Sequence, residues 1–184
     1  MPATLQWKTI AILATDGFEQ SELTEPRKAL EDAGAAAEVV SPGDGEIAGW
    51  NHTDWGGKVA VDVRLDEADA EKYDALLLPG GVMNPDKLRT EPRAIEFVKA
   101  FFETGKPVAS ICHGPWTLVE ADLVRGRTLT SWPSIATDIE NAGGTRVDEE
   151  VCVCTGGPNT LVTSRKPDDI PAFNEKIIEV FAQT

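Results

Sequence analysis

The chain has 184 residues, long enough for one hydrophobic core and short for two, since domains cluster at roughly 100–150 residues. Apolar residues at 41% and charged residues at 26% are those of a folded globular chain, which excludes disordered and fibrous classes. Acidic residues number 31 against 17 basic, a formal net charge of −14 that repels phosphate backbones and anionic lipid, so neither a nucleic-acid nor a membrane partner is expected.

Short apolar runs alternate with amphipathic stretches along the chain, which predicts an α/β sheet. Strands are expected at Thr9 to Ala14, Ala37 to Val40, Val59 to Val63, Ala75 to Leu78, Val108 to Ile111, Thr128 to Thr130, Glu150 to Thr155 and Leu161 to Ser164. Several are continuous apolar runs, as strands buried on both faces of a mostly parallel sheet require. Between them Ser21 to Ala33 reads as a helix with Leu23 and Leu30 inward, Gly34 as its stop, and Pro26 in its first turn or at a kink. Ile47 to Val63, rich in glycine and turn residues, reads as a hairpin excursion; its Trp50, His52 and Trp55 could line a pocket or a subunit contact, with surface packing the plainer reading.

Pro92 to Thr104 carries one apolar stripe of Ile95, Val98, Phe101 and Phe102, with Thr90 as a candidate cap and Gly105 and Pro107 as terminators. Further helices are expected after Gly114, over Ser134 to Ala142, and over Ile170 to Phe181. No linker or repeat interrupts this pattern, so residues 1–184 are read as a single domain.

The N-terminal segment reads as a strand, not a signal peptide, and the longest stretch free of Asp, Glu, Lys and Arg, Pro107 to Val119, is too short and broken to span a bilayer. A cytoplasmic protein is expected. Its three cysteines, Cys112, Cys152 and Cys154, cannot all pair within one chain, and a reducing compartment leaves them as thiols. Cys152 and Cys154 share one strand face and are expected in the core, since zinc sites prefer wider spacing and further ligands are missing. No metal site, dinucleotide motif or P-loop is found, so no cofactor is expected.

The chemistry concentrates in Ala109-Ser110-Ile111-Cys112-His113-Gly114-Pro115, where a buried strand ends at a thiol and a helix starts at once. Such a turn at the carboxyl end of a sheet is where open α/β folds bind ligands, and Gly114 would let the helix pass closely. A helix N-terminus beneath the sulfur favours thiolate, making Cys112 nucleophilic; a buried, inert cysteine is the alternative. His113 is a candidate base or a structural histidine. The Gly80-Gly81 turn after Ala75 to Leu78 could present amides that, with the amide of His113, form an oxyanion hole; an ordinary tight turn is the alternative.

The same elbow resembles that of the PfpI/ThiJ family, the intracellular protease I relatives of the parkinsonism-associated deglycase. Asp16-Gly17-Phe18-Glu19-Gln20-Ser21-Glu22-Leu23 resembles the family's acidic loop after its first strand, Leu78-Pro79-Gly80-Gly81 its Pro-Gly-Gly turn, and Leu123 to Pro133 its segment after the elbow helix. The resemblance implies a flavodoxin-like sandwich with helices on both faces of the sheet and a homodimer. It makes Cys112 the nucleophile and Glu19 the carboxyl group that hydrogen-bonds its sulfur. In the peptidase branch a glutamate from a neighbouring subunit orients the histidine, and the matching position here is Asp86. The leading function it implies is a stress-response enzyme acting on small aldehydes or glycated adducts of proteins or peptides. A cysteine peptidase with a Cys112, His113, Asp86 triad shared between subunits is the second, and a non-enzymatic sensor using cysteine oxidation the third.

Overall fold

The computed structural model describes residues 4–183. Strands β1 (Thr9–Leu13), β3 (Ala36–Ser41), β6 (Val63–Arg64), β7 (Ala75–Leu78), β8 (Val108–Ile111), β11 (Val151–Cys154) and β12 (Leu161–Ser164) form a seven-stranded sheet in the order β11-β12-β8-β7-β1-β3-β6. Every pairing is parallel except β11 with β12. This is the expected mostly parallel sheet. The alternation of side chains along each strand divides the core in two. Ile10, Ile12, Ala75 and Leu77 face one side, with α1 (Gln20–Asp32) and α6 (Ile170–Phe181); Ala11, Leu13, Leu76 and Leu78 face the other, with α3 (Pro92–Glu103). Burying both faces explains why β7 reads Ala-Leu-Leu-Leu without a polar position.

The helices follow the expected stripes with shifts that have physical reasons. In α3 the buried positions are Ala94, Phe97, Val98, Phe101 and Phe102, so Ile95 lies at the edge of the stripe. The cap is Glu91, whose carboxylate accepts from the Arg93 amide at 3.3 Å, whereas the Thr90 hydroxyl donates to the Lys87 carbonyl at 2.8 Å and closes the preceding helix. That helix, α2 (Met83–Leu88), is not among the expected elements, and Pro85 lies in its first turn. Proline is tolerated in a first turn, where its missing N–H has no intrahelical partner to lose. Pro26 lies inside α1, not in its first turn.

The stretch after Gly114 forms α4 (Pro115–Glu120), and α5 (Ala136–Asn141) follows a short 3-10 turn. The expected Val59 to Val63 strand divides at Val61 and Asp62, because Asp62 turns to accept the Val39 amide at 2.8 Å. Strands β9 (Thr128–Leu129) and β10 (Thr145–Arg146) pair apart from the main sheet.

The excursion is a hairpin of β4 (Glu46–Asn51) and β5 (Asp54–Ala60), as expected, and it leans back over the main sheet by pairing with β2 (Phe18–Glu19). Phe18 stands opposite Gly49 and Glu19 opposite Trp50. The hairpin is thereby fixed above the carboxyl ends of β1, β7 and β8. Among the described residues no helix is long and apolar enough to cross a membrane.

Candidate active site

The elbow between β8 and α4 is built as the sequence implies. Cys112 has φ 62°, a left-handed conformation that a non-glycine residue adopts only when its surroundings hold it there. They do: its amide donates to the Ser164 carbonyl at 3.1 Å, its carbonyl accepts from the Trp132 amide at 2.9 Å, and the Gly114 amide closes the turn on the Ile111 carbonyl at 2.9 Å. A Cβ at Gly114 would overlap the Ser110 hydroxyl and the Leu78 carbonyl, so the close passage assigned to this glycine is real. The sulfur is thus aimed away from the sheet, into a cleft of about 530 Å³ between the elbow, the β1 and β7 loops and the hairpin.

The acid in contact with that sulfur is Glu22, not Glu19. Glu22 sits in the first turn of α1 and is fully buried; its Oε2 accepts the Gly80 amide at 2.9 Å, its carboxyl lies against the Cys112 thiol, and its Oε1 has no other partner. Burial pushes the Glu22 carboxyl up to about 8 despite these bonds, so it keeps its proton at neutral pH. Glu19 precedes the helix. Its backbone amide ties to the Gly80 carbonyl at 3.2 Å, while its side chain faces the hairpin, where the His52 amide donates to it. Burial also raises the Glu19 carboxyl, and its Oε1 has no partner. The sign that separates the two acids is present in the sequence: Glu22 shares the buried stripe of α1 with Leu23, Pro26 and Leu30.

For Cys112 itself, burial pushes the thiol up and the neighbouring Glu22 charge adds to that, while the amides of Gly81 and His113 donate to the sulfur and pull the other way. A depressed pKa from the helix terminus is therefore not what the structure gives; α4 has six residues, and its field is outweighed. The two groups compete for protonation. With Glu22 protonated its charge no longer opposes thiolate, and the carboxyl can donate to S⁻.

His113 Nδ1 lies 3.2 Å from the Cys112 sulfur, so adjacent side chains do meet here. The ring is 24° from parallel to Trp132 at 5.8 Å, and Nε2 is 3.2 Å from the Ser134 hydroxyl. Burial lowers the pKa of His113, leaving a neutral imidazole. Asp86 does not reach it within the chain. It is exposed on α2 and lines a separate groove with Arg89 and Glu120.

The Gly80 amide is committed to Glu22, which removes it from any oxyanion hole; the amides of Gly81 and His113 both point at the sulfur. A Cβ at Gly80 would overlap Glu22 and Cys112, so this glycine serves close approach. Trp50 and His52 line the cleft, and Trp55 packs edge-on against Trp50 at 5.5 Å. The pocket reading of the hairpin aromatics is the one the structure supports for that pair. Among the described residues no group of three or more His, Cys, Asp or Glu is assembled for a metal.

A left-handed cysteine on a strand-to-helix elbow, with a protonated buried acid against its sulfur, sits at the carboxyl end of a mostly parallel α/β sheet. Residues 8–180 match the DJ-1/PfpI family, and the chain belongs to it. It is 46% identical over 170 residues to General stress protein 18 of Bacillus subtilis, covering 92% of this chain and 95% of that one. It is 42% identical over 173 residues to Protein/nucleic acid deglycase 2 of Escherichia coli, covering 94% and 97%. Drosophila melanogaster DJ-1beta superposes with a TM-score of 0.84 at 25% identity, over 96% of this chain and 91% of that one. A two-domain protein from Anabaena variabilis with DJ-1/ThiJ/PfpI-like and ferritin-like domains superposes with a TM-score of 0.85 at 35% identity; the match covers 94% of this chain and 47% of that one.

Proposed function

We propose that the protein is an enzyme that uses Cys112 against reactive aldehydes and glycated adducts. The observation that carries this reading is the contact of the Cys112 thiol with a carboxyl whose pKa is raised to about 8, close to the operating range of a general acid or base. The deglycase and stress-protein names of the two bacterial relatives support it.

In this reading the thiol proton passes to His113 Nδ1 and the sulfur attacks the aldehyde carbon. The C–S bond forms as the C=O π pair moves onto oxygen, giving a hemithioacetal. The oxyanion develops two bonds from the sulfur, where the Gly81 and His113 amides directed at that sulfur would stabilise it, and Glu22 or His113 returns the proton to it. Trp50, Met83 and Trp132 give the cleft apolar walls that suit small carbonyl compounds.

The substrate side includes adducts on protein, and the deglycase relative's name extends it to nucleic acid, against the expectation from net charge. The charge of −14 opposes tight duplex docking, yet a single modified base need only enter the cleft. A homodimer in the cytoplasm, organised as one domain, completes the proposal. It is tested by turnover of methylglyoxal and of a glycated amine with the native protein and with Cys112→Ala. Loss of both activities in the variant supports the reading, and turnover that survives in Cys112→Ala overturns it.

A further inference from the structure

On the far edge of the main sheet, outside the cleft, a charged side chain is buried with no carboxylate beside it among the described residues. Arg127 is 3% exposed. Its Nη1 donates to Asn159 Oδ1 at 3.0 Å, and its Nη2 to the carbonyls of Cys154 and Asn159 at 3.0 and 2.8 Å. Its Nε donates to the Cys154 sulfur at 3.3 Å. Among the described residues no carboxylate lies within ion-pair distance of it. A guanidinium cannot give up its proton, and a buried cation without an anion is costly. Among the described residues, the one group hydrogen-bonded to it that can become an anion is Cys154.

The surroundings of that sulfur agree. The amides of Thr128 and Gly156 also donate to it, so its neighbours are donors. Cys152, two residues back on the same strand face, is the internal contrast: its sulfur donates to the Thr128 carbonyl at 3.6 Å and must carry a proton to do so. Burial alone would raise the Cys154 thiol, but the Arg127, Thr128 and Gly156 donors outweigh it and hold it below its ordinary value. Burial and Glu149 push Cys152 up to about 11. The titratable groups facing Cys154 are therefore Arg127 and Cys152. The loop that passes over the pair, Thr155 to Pro158, is exposed, and a Cβ at Gly157 would overlap the guanidinium.

We propose that Cys154, paired with the buried Arg127, is a second reactive thiol of this protein and a modification site for small uncharged electrophiles, hydrogen peroxide among them. With peroxide the sulfur lone pair attacks one oxygen and the O–O bond breaks. Cys154 is oxidised to sulfenic acid and hydroxide leaves, taking a proton to become water. Modification therefore changes the group that accepts from the buried Arg127 Nε, from a thiol sulfur to S–OH. The site needs no residue of the cleft.

The test is iodoacetamide labelling of the native, full-length protein across pH, with the rate at each cysteine read by mass spectrometry. Cys154 is expected to label at least about tenfold faster than Cys152 at pH 7.5, with a rate midpoint below that of a free thiol. Peroxide followed by a sulfenate-trapping diketone is expected to tag Cys154 and not Cys152. Arg127→Gln is expected to move the Cys154 midpoint upward while leaving Cys152 in place. Where that variant does not fold, the native pH profile decides. Equal labelling of Cys152 and Cys154, or a Cys154 that reacts only after unfolding, overturns the proposal.

Discussion

Cys112 and Cys154 are both buried, and the chain gives them partners of opposite kind. At the elbow the sulfur faces a carboxyl group; at the sheet edge it faces a guanidinium. Desolvation raises both thiols, and what differs is the partner. An acid helps a thiolate only by being protonated, which makes Cys112 conditional on a second titration, whereas the arginine beside Cys154 cannot deprotonate and stays charged. The comparison separates catalytic control, which requires a proton that can move, from a fixed electrostatic environment, which does not.

The largest expected effect breaks the first half of that contrast. Glu22→Gln keeps shape and can still bond Cys112, but it cannot exchange a proton; turnover is expected to fall about 10²–10⁴-fold. The variant also changes the pH dependence of stability. Folded Glu22 titrates near 8 against an unfolded value near 4.5, so the folded state holds a proton that the unfolded state has lost. The stabilisation is complete below pH 4.5 and is lost as pH rises toward 8, by at most about 1.4 kcal/mol per pH unit. Urea unfolding between pH 5 and 8 should show that slope in the native protein and a flatter one in Glu22→Gln. Parallel slopes would mean that Glu22 is ionised.

Next in size is a difference between two alanine variants. Cys154→Ala leaves the buried Arg127 Nε without its acceptor and is expected to cost about 3 kcal/mol. Cys112→Ala removes a sulfur that burial and Glu22 already disfavour as an anion, so it is expected to cost about 1 kcal/mol. Urea midpoints at pH 7 measure both. Equal costs would make Cys154 a neutral core thiol.

How much of this could be read from the sequence depends on the range of the forces involved. β7, β8 and β12 and helix α6 are found at their expected bounds, because their signals are local: short buried apolar runs and one amphipathic stripe. The Cys112 elbow is legible for the same reason. Glu22 lies in the acidic segment after β1, about one helical turn beyond Glu19, and only the phase of α1 tells which acid points inward. Arg127 and Cys154 are 27 residues apart and meet only through the placement of β9 against β11, which no window of sequence contains.

A smaller effect belongs to the ring between the sulfur and Ser134. Because burial keeps His113 neutral, the acid limb of the pH–rate profile is expected below the ordinary histidine range. Ser134→Ala removes the partner of Nε2 at 3.2 Å, while the Trp132 stack remains. Turnover is expected to fall about tenfold, the value of one lost orienting hydrogen bond of roughly 1.4 kcal/mol. An unchanged rate and profile would assign the orientation to Trp132 alone.

The smallest expected effect concerns Asp86 and distinguishes a self-contained site from a shared one. Within the chain His113 is held by Ser134, and Asp86 is exposed beside Arg89 and Glu120, in a groove that does not include the cleft residues. An exposed carboxylate screened by water contributes little to a site that it does not touch. Asp86→Asn is therefore expected to leave aldehyde turnover within about twofold, because a surface change away from the reacting atoms moves energies by roughly 0.5 kcal/mol or less. A triad completed by a partner subunit predicts the reverse: removing the charge that orients His113 would cost at least tenfold, and the loss would deepen on dilution as subunits separate. Measuring Asp86→Asn turnover over a range of protein concentrations separates the two arrangements. A large, concentration-dependent loss would move the orienting role from Ser134 to the neighbouring chain.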